Sequence, residues 1–389
     1  DFTYARVRAV KDGREEILWI GEPLVEEVLR KGRYQDFTIL ETVTGDALIG
    51  MHYRSPLEEQ VPIQKDVEHR VVYADFVTME NTGLVHMAPG HGWDDSLVGQ
   101  KEGLESLCPV DNAGIYTADA GIFAGTFVKD ADRDVMDALG DNLLAKKKIT
   151  HRYGHCWRCK TPIIMISTEQ WFLAIPKIKD QMLAEIARVE WQPDWAGSAR
   201  FHDFVAGARD WCISRQRYWG IPIPVWECDA CDARKVFGTV AELNEAAGTH
   251  LTDPHRPYVD DVIIPCTCGG TMRRVSDIFD VWFDSAMASW ATLGFPRETA
   301  EFERLWPAAF ITEGQDQTRG WFYSQLGASV IAFDQAPYNK VLMHGFALDA
   351  EGRKMSKSIG NVVAPEEVVA KVGVDVLRLY LLSASAPWD

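Results

Sequence analysis

The chain has 389 residues, 47% hydrophobic and 25% charged, an ordinary globular balance that favours two or three domains. No apolar run reaches the roughly 20 residues of a membrane-spanning helix and no signal-peptide pattern opens the chain, so a soluble, intracellular protein is expected. A formal net charge of −17 excludes a bulk polyanion binder; any nucleic-acid contact must come from local basic patches.

The chain opens without methionine in strand-like alternation, "DFTYARVRAV", and ends after a helical stretch at "SASAPWD", so an internal piece of a longer protein is expected. "EPLVEEVLRK" has helical spacing, and "FTILETVTG", "RVVYADFVTM" and "GLVHMAP" read as strands. "DDSLVGQKEGL" and "DRDVMDALGDNLLAKK" read as helices. Together, residues 1–150 predict a compact β-barrel-like domain with flanking helices. From about residue 273 the order becomes strand, helix, strand, helix. "IFDVWFDS" and "AAFITEG" are strand candidates, "GWFYSQLGASVIAF" a helix, "YNKVLMHGFAL" a strand and "PEEVVAKVGVDVLRLYLLSAS" a closing helix pair. This alternation predicts an α/β fold with a parallel sheet, whose ligands bind at the carboxyl ends of strands.

Six of the eight cysteines form tight pairs, "CWRC", "CDAC" and "CTC", which in a large intracellular chain read as metal ligands. Cys108 and Cys212 stand alone and read as plain buried thiols. Cys228, Cys231, Cys266 and Cys268 supply four thiolates, the donor set of a closed structural zinc site. A redox dithiol is the weaker alternative, because a second pair is available. Cys156 and Cys159 give only half of such a site.

"EGRKMSKSIGN" (351–361) concentrates Lys354, Ser356, Lys357 and Ser358 ahead of Gly360, directly after the strand candidate ending "MHGFAL". Mobile point charges with hydroxyl and backbone donors suit a polyphosphate, although a solvated basic turn has the same composition. "DWCISRQRYWG" (210–220) interleaves Arg215 and Arg217 with aromatics; base stacking and packed ion pairs are equally open there. "GLVHMAPGHGWDDSLVG" (83–99) sets His86 near Asp94 and Asp95 at a helix start, where capping is the plain reading.

"DWCISRQRYWG", "DVWFDS" (280–285), "EGQDQTRGWFYS" (313–324) and "GRKMSKSIGN", in this order, resemble the class I aminoacyl-tRNA synthetases, over essentially the whole chain. "GWF" after "DQTRG" is similar to the isoleucine branch rather than the valine or leucine branches. The resemblance implies the second half of a Rossmann-like catalytic domain with an inserted β-barrel-like editing domain and a zinc-binding knob. The expected boundaries are 1–150 for a partial editing domain, 151–205 for a return connector, 206–227 for a catalytic segment and 228–272 for the zinc insertion. The second catalytic half would span 273–350, and the lysine loop with the first stem-contact helices 351–389.

The resemblance also implies roles. Lys357, assisted by Lys354 and Ser356, would contact ATP phosphates, with Mg2+ accompanying the ATP. His344, Gly345 and Phe346 would line adenine. Glu313, Asp316 and Gln317 would hold the adenylate and the amino acid's ammonium, while Trp282 and Trp321 would wall the isoleucine side chain, although tryptophans at such positions commonly pack a core. Asp95 and His86 would form an editing pocket that hydrolyses valine from tRNA. In the metal-rich branch, the partners of Cys156 and Cys159 would lie upstream.

The expected activity is ATP-dependent ligation of isoleucine to tRNA(Ile), by a cytoplasmic monomer. Valine or leucine ligation, a free-standing deacylase and a zinc-ribbon tRNA-binding module are the alternatives. The second ATP-binding string of the family, His-x-Gly-His, has no match: "HRYGH" (151–155) has the wrong spacing. That string and the threonine-rich part of the editing site are expected before Asp1, and the segment alone is expected to activate little.

Overall fold

The structure is a computed structural model that describes residues 2–156, 159–357 and 359–383. Trp157 and Arg158 of "CWRC", Ser358 of the lysine loop and the last residues of the closing helix pair lie outside the described residues. The chain divides into two compact units, Asp1–Glu169 and Gln170–Asp389.

In the first unit, Thr3–Lys11 is the central strand of a three-stranded antiparallel sheet, between Arg14–Gly21 and Asp36–Thr44. Asp12 and Gly13 both take positive φ (49° and 79°), which matches the right-handed twist of the strands they join. Ala5, Val7 and Ala9 alternate onto one face and pack with Ile20, Val25, Val28 and Leu29, the last three from the helix Val25–Lys31.

Among the described residues this sheet has three strands. "RVVYADFVTM" and "GLVHMAP", expected as strands, form none. Arg70 bridges His52, and Val71 exchanges two backbone bonds with Gly50 and Met51, both 2.9 Å. The chain then turns through Asn81 and Gly83, both at positive φ. Alternation marks a residue set that could line a sheet, but a strand also needs a partner edge, and the pairing here stops after two residues.

The second unit is built around a parallel sheet. Lys340–His344 lies between Ile311–Gly314 and Glu190–Gln192. A parallel pair needs a crossover, and the helix Trp321–Phe333 supplies the one between Ile311–Gly314 and Lys340–His344. That helix buries Phe322, Leu326 and Val330 against Trp191, Phe201, Tyr338 and Met343. The β-α-β alternation expected from residue 273 onward is therefore present. One expected strand is shorter: Ile278–Phe279 gives way to the helix Val281–Ala286 because the Asp280 side chain accepts a hydrogen bond from Trp282 N at 2.7 Å.

Within this unit, Val225–Cys228, Arg234–Val236, Ile264–Pro265 and Thr271–Arg274 form a separate four-stranded antiparallel sheet. It has its own core of Trp226, Phe237, Leu243, Val259, Ile264 and Met272. Its helix Val240–Ala247 is capped reciprocally: Thr239 accepts from Glu242 N (3.2 Å) and Glu242 accepts from Gly238 N (3.0 Å). No helix among the described residues is long and apolar enough to cross a membrane.

Candidate functional site

Strand register brings the first set of candidates together. Gly314 pairs with His344 at the carboxyl ends of adjacent parallel strands, the edge at which such sheets bind ligands. A Cβ on Gly314 would lie 2.9 Å from Asp316 Oδ1 and 3.7 Å from both the His344 and Phe346 rings. Glycine thus keeps a gap open between three of the predicted residues. Glu313, Asp316 and His344 are exposed at this edge.

Gln317, Trp321 and Trp282 form a second cluster beside it. Gln317 Oε1 accepts from Trp321 N at 2.8 Å, so Gln317 also holds the start of the crossover helix. Trp321 Nε1 donates to Ser285 O at 3.0 Å, and a Cβ on Gly320 would meet both Gln317 Oε1 (2.6 Å) and the Trp282 ring (3.4 Å). Trp282 keeps 42% of its surface exposed although its helix is firmly anchored. The anchor is Asp280, whose carboxylate also pairs with the Arg215 guanidinium. Arg215 further donates to Ser214 O (2.6 Å) and Cys212 O (3.1 Å), contacts of the packed ion-pairing kind, while its side chain keeps 38% of its surface exposed.

The lysine loop is held by two residues that flank its lysines, Asp349 and Asn361. Asp349 accepts from Arg353 N (2.8 Å), Glu351 N (3.1 Å) and Arg353 Nε (2.9 Å). Asn361 Nδ2 donates to Asp349 Oδ2 at 2.8 Å and to Lys354 O at 3.2 Å, and Asn361 Oδ1 accepts from Ser356 N at 2.8 Å. The Asn361 amide, followed by the Arg353 N–H, holds the Asp349 carboxyl below the usual carboxylate range. Lys354 Nζ lies over the Phe346 ring, and Lys357 is exposed. The signal was present in sequence as the aspartate and asparagine flanking the lysines, but only the folded loop shows them meeting.

Cys228, Cys231, Cys266 and Cys268 converge so that all four sulfurs lie within 4.8 Å of one another. Cys231 and Cys266 are 3.8 Å apart and Cys228 and Cys268 3.5 Å, close to the edge of about 3.8 Å expected for a tetrahedron of Zn–S bonds near 2.3 Å. Backbone N–H groups of Ala230 and Gly270 point at the Cys228 and Cys268 sulfurs, both at 3.4 Å. A Cβ on Gly270 would lie 2.7 Å from Ala230 Cβ and 2.9 Å from Cys228 Sγ, so the knuckle closes only around glycine. The Cys268 backbone N–H and sulfur lower the Cys266 thiol to about 7. At Cys268 the Gly270 N–H is outweighed by the sulfurs of Cys231, Cys266 and Cys228, which push that thiol up to about 12, as thiols crowded together divide their protons unequally.

The remaining candidates lie in the first unit. Asp95 does not cap its helix Trp93–Glu102, whose N-cap is Gly92 without a side-chain bond. Its Oδ2 instead accepts from Ala88 N at 2.9 Å and ties back the loop that carries the exposed His86. Cys156 N donates to Thr161 O (2.8 Å), and the Thr161 hydroxyl and N–H lower the Cys159 thiol to about 7. Among the described residues no third metal ligand joins this pair.

Parallel strands with a gap at their carboxyl ends, a lysine loop beside that gap and a four-cysteine knuckle define a class I synthetase catalytic unit. The chain belongs to that family: the model described as "tRNA synthetases class I (I, L, M and V)" matches residues 30–389. More particularly, it is 68% identical over 389 residues to the "Isoleucine--tRNA ligase" of Methanospirillum hungatei JF-1, covering 100% of this chain and 37% of that protein. It is 70% identical over 389 residues to the protein of the same description from Methanoregula boonei, covering 100% of this chain and 36% of that one. The chain therefore spans just over a third of these relatives' length. Among solved structures, Mycobacterium tuberculosis methionyl-tRNA synthetase in complex with methionyl-adenylate is 22% identical, with a TM-score of 0.41, covering 61% of this chain and 38% of that one. That likeness is too low for residue-by-residue transfer.

Proposed function

We propose that this chain is the segment of an isoleucine–tRNA ligase that carries the lysine-loop side of the ATP site, together with part of an editing domain and a zinc knob. The observation that carries this reading is the continuity at the sheet's end: Gly314, His344 and Phe346 border one gap, and Lys354 rests on Phe346. In the reaction, the isoleucine carboxylate attacks the α-phosphorus of ATP and pyrophosphate leaves; a tRNA hydroxyl, losing its proton, then attacks the acyl carbon, and AMP leaves as the acyl–phosphate bond breaks. Lys357, with Lys354 and Ser356, stabilises the charge that builds on the leaving phosphates, while Mg2+ accompanies ATP. His344, Gly345 and Phe346 line adenine. Glu313, Asp316 and Gln317 take the ribose hydroxyls and the ammonium, and Trp282 and Trp321 wall the aliphatic side chain.

Editing follows from the same chemistry. One methylene gives a pocket only about 10–200-fold discrimination, a limit measured on the isoleucine enzyme itself, so a second, hydrolytic site is needed. Asp95 has one carboxylate oxygen on Ala88 N and the other to offer an ammonium, and His86 lies two residues before Ala88 in the same loop. The four cysteines hold one Zn2+, which ties the knob together, and Cys156 and Cys159 supply half of a second site. The domain boundaries expected from the sequence are retained as part of this reading, with tRNA(Ile) as partner, a monomeric state and a cytoplasmic location. The high identity to isoleucine relatives favours this over valine or leucine ligation and over a free-standing deacylase. Isoleucine-dependent ATP–pyrophosphate exchange by a full-length ligase containing this segment tests it; exchange that valine or leucine drives better would refute it.

A further inference from the structure

We infer that Asp349 and Asn361 are positioning residues that fix the shape of the lysine loop before ATP arrives, an inference that rests on reading that loop as the phosphate-stabilising element. No regular helix or strand spans residues 351–361 among the described residues, so the backbone there depends on other bonds. Short backbone pairs supply some of them, Asp349 N to Arg353 O (2.8 Å) and Gly360 N to Ser356 O (3.0 Å), and two side chains join these pairs together. Asp349 holds the N–H groups of Glu351 and Arg353, and Asn361 holds Lys354 O and Ser356 N. The two bind each other, Asn361 Nδ2 to Asp349 Oδ2 at 2.8 Å, so the stretch that carries Lys354 is bracketed from both sides. Gly352 and Gly360, at φ 75° and 78°, turn the chain at the ends of the bracket. The Asp349 side chain is only 7% exposed, although most of its neighbours in the loop are open to solvent.

This arrangement matters for a lysine that acts on developing charge. An ammonium on a mobile loop must lose its freedom during the reaction, whereas a loop already folded leaves only the side chain to order. Asp349 and Asn361 touch neither substrate nor reacting atoms in this account; they act through Lys354 and Lys357.

The pair is also complementary in a way that can be reversed. Asp349→Asn sets two amides against each other and removes the charge facing Arg353, and Asn361→Asp sets two carboxylates face to face. The double exchange, Asp349→Asn with Asn361→Asp, restores one donor facing one acceptor between the two side chains, though not the donor to Lys354 O, so its recovery is partial.

The experiment compares these three variants in a full-length isoleucine–tRNA ligase containing this segment, with Lys357→Ala alongside. Each single change is expected to lower kcat for isoleucine-dependent ATP–pyrophosphate exchange at least tenfold, with the KM for isoleucine held within twofold. The double exchange is expected to recover at least fivefold over the worse single variant. Deacylation of valyl-tRNA should be unchanged in all three, which separates a local effect from misfolding. Single variants within threefold of the parent, or a double variant as poor as the product of the two singles, would overturn the inference. If Lys357→Ala abolishes exchange while the swaps are silent, only the positioning role fails; if Lys357→Ala is also silent, the reading of the loop itself fails.

Discussion

Lys354 places its ammonium nitrogen 3.5 Å from the centroid of the Phe346 ring. Two residues proposed for opposite ends of ATP, one for the phosphates and one for adenine, are thus in direct contact. A cation over an aromatic face gains about 0.5–1 kcal/mol where exposed. Phe346→Leu removes that attraction. We expect trypsin to cut after Lys354 several-fold faster in the variant without nucleotide, and the KM for ATP to rise. Equal cleavage rates would show that the ring does not restrain the lysine.

Asp280 joins three features in one carboxylate: the cap on Trp282 N, the ion pair with Arg215 and the step from strand to helix. Its side chain is 6% exposed, whereas Arg215 is 38% exposed and keeps Ser214 O and Cys212 O as acceptors when the carboxylate is removed. Asp280→Ala should cost about 1–2 kcal/mol in urea unfolding, mostly the lost cap, with a smaller part from an ion pair that solvent screens on its arginine side. It should also raise the KM for isoleucine, because Trp282 loses its anchor. Asp280→Asn keeps an oxygen for the cap and should cost less. Equal stability of Asp280→Ala and the parent would show that the pair is ornamental.

The cysteine knuckle predicts one equivalent of zinc per chain, measurable by elemental analysis. Cys231→Ser or Cys266→Ser should lose the metal. Gly270→Ala should weaken its retention while leaving all four ligands in place, since the added methyl collides with Ala230 and Cys228. A metal content unchanged in Gly270→Ala would mean the knuckle opens more easily than its geometry implies.

Acid should unfold the knob through Asp260. Burial alone would raise its carboxyl, but hydrogen bonds from Arg274 and Arg256 outweigh that and hold it below its usual value. A depressed folded value means the stabilisation is fully present above the unfolded value of about 3.9 and is lost as pH falls through the folded one. Asp260→Asn should therefore flatten the fall of Tm with pH below about 4, and lower Tm at neutral pH because Arg274, with a side chain only 1% exposed, loses its partner. An identical acid profile in the variant would contradict this assignment.

Short-range patterns in the sequence carried a good part of the second unit. The apolar helix Trp321–Phe333 and the strand Lys340–His344 follow from composition and spacing, and the two-plus-two cysteines foretold a cluster without any knowledge of the fold. Long-range pairing was not legible. Nothing in "RVVYADFVTM" says that its partner edge runs out after Val71, and nothing in "DWCISRQ" says that Arg215 meets an aspartate 65 residues later. Asp95 misled in a different way. Its place in the first turn of a helix suits a cap, yet the loop before it curls back and offers Ala88 N instead. Side chains that bind backbone outside their own element, such as Asp95, Asp349 and Asn361, are where sequence periodicity has least to say.

The central claim is that the lysine loop serves isoleucine activation. The direct measurement is labelled pyrophosphate exchange into ATP by a full-length ligase containing this segment, with and without Lys357→Ala, for isoleucine against valine. The account predicts exchange that favours isoleucine by about 10–200-fold in kcat/KM and falls at least a hundredfold with Lys357→Ala. Exchange that prefers valine, or that Lys357→Ala leaves intact, would contradict it.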